Sequence, residues 1–266
     1  MSAFGTAALV TGASSGIGEA FARALAARSV DLLLTSLPED EGALNGIARE
    51  LSAQHHVRAE VVTADLSDPA GASRLMDAAD ALAFEPDTLV NSAGFGVIGR
   101  FDQASLERQL AMIRVNVEAL VALTGRYLPR MVARRKGTII NVASTAGLMP
   151  VPYFAAYAAS KAFVVSFSEA LWAENRAHGV RVVAACPGPV GTRFHERAAG
   201  EDLRSRLQVS AVVQAAFKAL ERGRPVVVQR VLPFGAVFAA LTAPIAPRRF
   251  RLRAIHRIAR WFFKQS

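Results

Sequence analysis

Short apolar runs alternate with longer stretches of helical period along most of the chain, and few architectures accept that order. The runs are AALVT at 7–11, VDLLLT at 30–35, VRAEVVTA at 57–64, DTLVN at 87–91, GTIINVA at 137–143, VRVVAAC at 180–186 and PVVVQ at 225–229. Between them lie 16–28, 41–54, 103–134, 153–178 and 210–222, each long enough for a helix. Strands separated by helices pair in parallel, because a crossover helix is what returns the chain to start a parallel neighbour. The fold class expected is therefore α/β: a doubly wound, Rossmann-type parallel sheet of about seven strands with helices on both faces. A chain of 266 residues, 52% apolar, fits one such domain over residues 1–230, followed by an extension at 231–266.

The net charge of +9 suggests nucleic acid until it is located. Residues 222–266 hold ten of the 31 Lys+Arg and none of the 22 acids, so the body before them carries 21 against 22 and is neutral. No recognition module accompanies the charge, and no nucleic-acid partner is expected. Within the extension, 231–247 is apolar for 17 residues but interrupted by three prolines, too short and too broken to span a bilayer. RRFRLRAIHRIARWFFK, 248–264, reads as an amphipathic basic helix, with Leu252, Ile255, Ala259, Phe262 and Phe263 opposite Arg253, Arg257, Arg260 and Lys264. Such a helix lies on an anionic membrane surface or docks on the protein's own body or a sister subunit, and the residues leave both open. The single cysteine, Cys186, cannot make an internal disulfide, and MSAFGTAALVTG lacks the order of a secretory signal; both favour a cytoplasmic setting, with peripheral membrane contact as the variant. The five histidines show no metal-ligand spacing, so no metal is expected.

In a doubly wound sheet ligands bind beyond the carboxyl ends of the strands. After the first strand stands TGASSGIG, 11–18, in which Gly12 permits a tight turn, Gly16 lets the backbone approach a pyrophosphate and Gly18 allows the next helix to pack closely. Alone, the spacing Gly-x-x-x-Gly-x-Gly is a weak signal, shared with purely structural turns. Further on, YAASK places Tyr157 and Lys161 one helical turn apart on one face, where an ammonium beside a phenol favours the phenolate and lowers its pKa. Tyr153 lies at or before the helix start, held there by Pro150 and Pro152, and is the poorer partner for Lys161. Ser144 follows directly on GTIINVA, so its hydroxyl emerges at the sheet edge that the Tyr157 helix crosses.

Taken together, TGASSGIG, AD at 64–65, NSAG at 91–94, Asn116 in MIRVNVEAL, Ser144 in INVAS, YAASK and PGPVGT at 187–192 make residues 5–230 resemble the short-chain dehydrogenase/reductase family. The resemblance implies a Tyr-Lys-Ser-Asn active site: Tyr157 as general acid/base, Lys161 lowering its pKa and binding the nicotinamide ribose, Ser144 orienting the substrate oxygen, and Asn116 holding a water that relays protons to Lys161. It implies cofactor contacts from Thr11, Gly12, Ser14, Ser15, Gly16, Ile17 and Gly18, from Ser36, Asp65, Leu66, Asn91, Ala93 and Gly94, and from Pro187, Gly188, Val190 and Thr192, with Tyr157 and Lys161 shared.

At the end of the second strand the acid that selects NAD(H) is missing, and so is the arginine that welcomes NADP(H). The reading places NADP(H) ahead of NAD(H), with Ser14 and Ser36 as phosphate contacts. Apolar FGVIGRF at 95–101 and TAGLMPVPYF at 145–154 suggest a small lipophilic ketone or secondary alcohol, and charged 194–207 suggests a lid. The resemblance also implies a homodimer or homotetramer built through 103–134 and 153–178. The other class of reading is a dinucleotide-binding regulatory or membrane-associated scaffold with vestigial catalysis; the presence of Asn116, Ser144, Tyr157 and Lys161 argues against it.

Overall fold

The computed structural model describes residues 4–190 and 208–228. Strands β1 (Ala7–Thr11), β2 (Asp31–Thr35), β3 (Ala59–Val61), β4 (Thr88–Asn91), β5 (Gly137–Val142), β6 (Val180–Cys186) and β7 (Val226–Val228) form one sheet in the order β3-β2-β1-β4-β5-β6-β7. Every pairing is parallel; Leu9 of β1, for example, stands opposite Leu33 of β2 on one side and Leu89 of β4 on the other. The helices are α1 (Gly16–Ala26), α2 (Glu41–His55), α3 (Gly71–Ala81), α4 (Leu106–Ile113), α5 (Leu120–Ala133), α6 (Ala155–Asn175) and α7 (Val209–Glu221). This is the doubly wound α/β sheet that the alternation of runs predicts.

The strands read as continuous apolar runs because both faces are covered. Along β1, Ala8 and Val10 join a core with Phe21 and Leu25 of α1, Leu44 of α2 and Phe217 of α7, while Leu9 between them joins Leu75 of α3, Leu123 and Met131 of α5 and Leu171 of α6. The same split divides Leu32 and Leu34 from Leu33 on β2. A strand buried on both sides needs apolar residues at odd and even positions alike, which removes the polar alternation of a half-exposed sheet.

Three elements differ from the sequence expectation. Helix α3 was not anticipated: its buried stripe is Ala72, Leu75 and Ala79, too small to stand out as periodic hydrophobicity. Strand β3 is an edge strand of three residues, shorter than the run at 57–64. The stretch 103–134 is divided into α4 and α5 by a π-helical turn at Arg114–Ala119. Such turns widen a helix by one residue and gather at functional positions, and this one carries Asn116. Residues 191–207 and 229–266, with Thr192, the segment 194–207 and the whole basic extension, lie outside the described residues.

Candidate active site

The order of the sheet reverses between β1 and β4: from β1 the chain moves to β2 and β3, from β4 to β5, β6 and β7. The loops leaving β1 and β4 therefore diverge and open a crevice at the carboxyl edge. Gly12, at φ +65°, lines it; a Cβ there would stand 2.9 Å from the Ala93 Cα, so glycine is what lets the two loops lie together. A Cβ on Gly18 would meet the Gly12 carbonyl oxygen, which seats the first turn of α1 directly on the glycine-rich turn. Ser15, the N-cap of α1, makes no side-chain cap, and an uncapped helix N-terminus on a glycine turn is an arrangement that takes a phosphate. The crevice has a volume of about 690 Å³ and runs from Ser14 and Ser36 to Tyr157 and Pro187.

At one end Ser14, Ser36, Leu37 and Glu39 meet Asp65, Leu66 and Ser67. Asp65 Oδ1 accepts the Ser67 backbone N–H at 2.8 Å and its hydroxyl at 2.7 Å, shaping the turn toward α3. Ser14 and Ser36 both donate to Asp40 Oδ2, each at 2.8 Å, and lie 3.0 Å from one another.

At the other end Tyr157 stands in the first turn of α6, 5% exposed, with Phe154 stacked on its ring at 4.2 Å. Ser144 caps the short helical turn Thr145–Leu148, its Oγ accepting the Ala146 N–H at 3.1 Å, and hydrogen-bonds the phenol. Burial pushes the Tyr157 phenol up to about 12, and the Ser144 hydrogen bond pulls the other way. Lys161, also 5% exposed, donates from Nζ to the Val142 carbonyl at 2.9 Å and lies 5.9 Å from the centre of the tyrosine ring. Burial pushes its ammonium down to about 8. The expectation that Lys161 depresses the phenol is not met in this arrangement, because burial dominates at both groups; at neutral pH the pair is a neutral phenol beside an ammonium.

Seventeen of the expected residues line this crevice: Gly12, Ser14, Ser15, Gly16, Ile17, Gly18, Ser36, Asp65, Leu66, Ala93, Gly94, Ser144, Tyr157, Lys161, Pro187, Gly188 and Val190. Three others stand behind its wall. Thr11 Oγ1 accepts the N–H groups of Ser92 and Ala93 at 3.0 Å each, tying β1 to the loop after β4. Asn91 is buried in a polar chain: its Nδ2 donates to Asn141 Oδ1 at 2.9 Å, and Asn141 Nδ2 donates to Ser168 Oγ at 2.9 Å. Asn116 clamps the crevice loop, with Nδ2 donating to the Phe95 carbonyl at 3.0 Å and to Ser160 Oγ at 3.1 Å, and Oδ1 accepting the Phe95 N–H at 3.2 Å. Both donors of its amide are thus spent on the fold. A Cβ on Gly94 would come within 2.8 Å of Asn116 Oδ1 and 3.3 Å of Lys161 Nζ, so that glycine keeps the wall open between them. Phe95 and Phe154, from the apolar segments 95–101 and 145–154 expected on the substrate side, and Ser92 of NSAG also line the crevice, as do Glu39 and Arg108, which no motif in the sequence singles out.

The short chain dehydrogenase family profile matches residues 6–203. The chain belongs to the short-chain dehydrogenase family. Among relatives of this dehydrogenase, a very-long-chain 3-oxoacyl-CoA reductase of Anas platyrhynchos is 34% identical over 195 residues, 71% of this chain and 61% of the relative, so the match spans about three fifths of that protein. A short-chain dehydrogenase from Sphingobium yanoikuyae, solved in complex with NADPH, is 32% identical with a TM-score of 0.79 over 89% of this chain and 92% of that one. The bulky-bulky ketone specific alcohol dehydrogenase from Comamonas testosteroni is 25% identical with a TM-score of 0.75 over 91% and 95%. The family is one that binds NAD(P), and as a member of it the chain is an oxidoreductase. Among its described residues no group of three His, Cys, Asp or Glu side chains is placed to hold a metal, and no helix is long and apolar enough to cross a membrane.

Proposed function

We propose that the chain interconverts a lipophilic ketone and its secondary alcohol, using Tyr157 as the proton donor and acceptor. The observation that carries the reading is the buried phenol of Tyr157, hydrogen-bonded to Ser144 at the mouth of a glycine-lined crevice. Gly12, Gly16 and the first turn of α1 would hold the pyrophosphate, and Gly94, Lys161, Pro187 and Gly188 the nicotinamide end. When bound, the nicotinamide supplies or accepts the hydride. Tyr157, neutral at physiological pH, donates its proton to the carbonyl oxygen in reduction, and Ser144 fixes that oxygen within reach of the phenol. The Lys161 ammonium stabilises the phenolate left behind, an effect felt only as charge develops on Tyr157. Asn116 acts through the loop it clamps, holding Gly94 and Phe95 in place.

Phe95, Phe154, Val97 and Met112 cluster with Tyr157 beside the reacting end, which favours an apolar substrate body. The acyl and bulky-ketone substrates named for the duck and Comamonas relatives support the same class. We further propose a homo-oligomer: Leu106, Leu110, Ile113 and Val121 form an exposed apolar stripe on α4 and α5, 63%, 44%, 39% and 37% exposed, and a second copy of the chain is the partner that would cover it.

The test is oxidation of NADH and NADPH across a panel of lipophilic ketones, wild type beside Tyr157→Phe. Turnover is expected to fall 10²–10⁴-fold in the variant while dinucleotide affinity stays within a factor of about three. Equal rates in the two proteins would exclude Tyr157 as the acid, and tight dinucleotide binding without turnover on any member would favour the regulatory reading.

A further inference from the structure

Between Ser14, on the glycine-rich turn, and Ser36, at the end of β2, lies a buried carboxylate that the sequence reading did not single out. Asp40 is 8% exposed and comes from the short helical turn Pro38–Asp40 that leads into α2. Its Oδ2 accepts from the Ser14 hydroxyl at 2.8 Å and from the Ser36 hydroxyl at 2.8 Å, and the two serine oxygens are 3.0 Å apart. Each serine has one proton to give. Three close oxygen contacts share two protons, and both are directed inward at Asp40. What Ser14 and Ser36 turn toward the crevice is lone pairs.

The two serines line the crevice with Leu37 and Glu39, and neither Leu37 nor Glu39 is basic. In a dinucleotide laid along the crevice with its pyrophosphate on the α1 turn, this is where the adenosine ribose 2′ position falls. A 2′-hydroxyl brings a proton that a serine lone pair accepts. A 2′-phosphate at neutral pH brings acceptor oxygens and charge, and would meet lone pairs, the Glu39 carboxylate and the negative charge of Asp40 behind them.

Resting on the dinucleotide reading above, we propose that Asp40, by holding both serine protons, is the positioning residue that makes this chain prefer NAD(H) to NADP(H). It acts through Ser14 and Ser36 and need not touch the cofactor. This reverses the preference expected from the sequence, where the same two serines were counted as phosphate donors.

The full-length chain is titrated with NADH and with NADPH by nicotinamide fluorescence, as wild type, Asp40→Asn and Ser36→Ala. Wild type is expected to bind NADH at least tenfold more tightly than NADPH. Asparagine removes the charge, and with its amide nitrogen in the place of Oδ2 it donates to the serines, so that their protons turn outward. Asp40→Asn is therefore expected to lower the NADH/NADPH preference at least fivefold, mainly by tightening NADPH. Ser36→Ala removes an acceptor for the 2′-hydroxyl and is expected to weaken NADH alone. A purely structural role for Asp40 would weaken both dinucleotides alike. Wild type that binds NADPH as tightly as NADH overturns the assignment, as does a folded Asp40→Asn protein with an unchanged ratio. If that variant does not fold, equal loss of both dinucleotides in Ser36→Ala has the same consequence. Wild type that binds neither sinks this assignment together with the dinucleotide reading, whereas tight NADPH binding sinks the assignment alone.

Discussion

Replacing Lys161 by methionine should stabilise the free protein while abolishing turnover, and the size of the effect can be worked from its burial. The ammonium is 5% exposed, and burial lowers its pKa from 10.5 to about 8. Holding the charged form in the fold at pH 7 therefore costs ~3 kcal/mol relative to the unfolded chain. Methionine fills similar volume without that cost but loses the hydrogen bond from Nζ to the Val142 carbonyl, 2.9 Å in the structure, a loss of ~1–2 kcal/mol. The net expectation at pH 7 is a gain of ~1–2 kcal/mol, on the order of 2–8 °C in Tm for a chain of this size. The pH dependence identifies the cause. Because the folded pKa is the lower one, the unfolded chain binds the extra proton between pH 8 and 10.5, so wild-type stability rises with pH across that window. The advantage of Lys161→Met should be widest below pH 8, shrink by ~1.4 kcal/mol per pH unit above it, vanish by about pH 9–9.5 and turn into a deficit of ~1–2 kcal/mol near pH 10.5, where only the lost hydrogen bond remains. Urea unfolding of both proteins at pH 7 and pH 9.5 measures the difference. A variant less stable at pH 7, or a gap that does not change with pH, would show that Lys161 is not held at the cost of its own desolvation.

Two further substitutions probe the scaffold. Gly18→Ala places a Cβ against the Gly12 carbonyl and must lift α1 from the glycine turn; at least tenfold weaker dinucleotide binding is expected by fluorescence titration, with a stability loss of ~1–3 kcal/mol. Asn141→Leu, at a fully buried position, removes the acceptor for the Asn91 amide and the donor to Ser168; a loss of ~2–4 kcal/mol in urea unfolding is expected, and a neutral outcome would mean that the buried chain of polar groups is dispensable.

The parts of the fold legible in the sequence are those set by a local rule. Covered strands must be apolar at every position, so β1 and β6 are read with the bounds they have, and Pro150 and Pro152 keep α6 from starting before Ala155. Helix α3 escapes that rule because alanine fills its buried stripe, and the π turn escapes it because the helical pattern runs on unbroken through 114–119 while only the backbone bonding changes. At the site, the glycines, Ser144, Tyr157 and Lys161 follow from spacing along the chain.

What spacing does not carry is the state of those groups. Residues 14, 36 and 40 come from three separate turns, and only their meeting decides which way the serine protons point. Likewise the i,i+4 relation of Tyr157 and Lys161 predicts a depressed phenol, yet both are buried, so desolvation raises the one and lowers the other. In the proposed reaction a neutral tyrosine is the form that reduction requires, and a lysine kept charged against its own burial would serve the charge that develops when the proton leaves. The same burial that makes Lys161 a burden to the resting fold would, in that reaction, make its charge effective at Tyr157, since screening is weakest where desolvation is greatest.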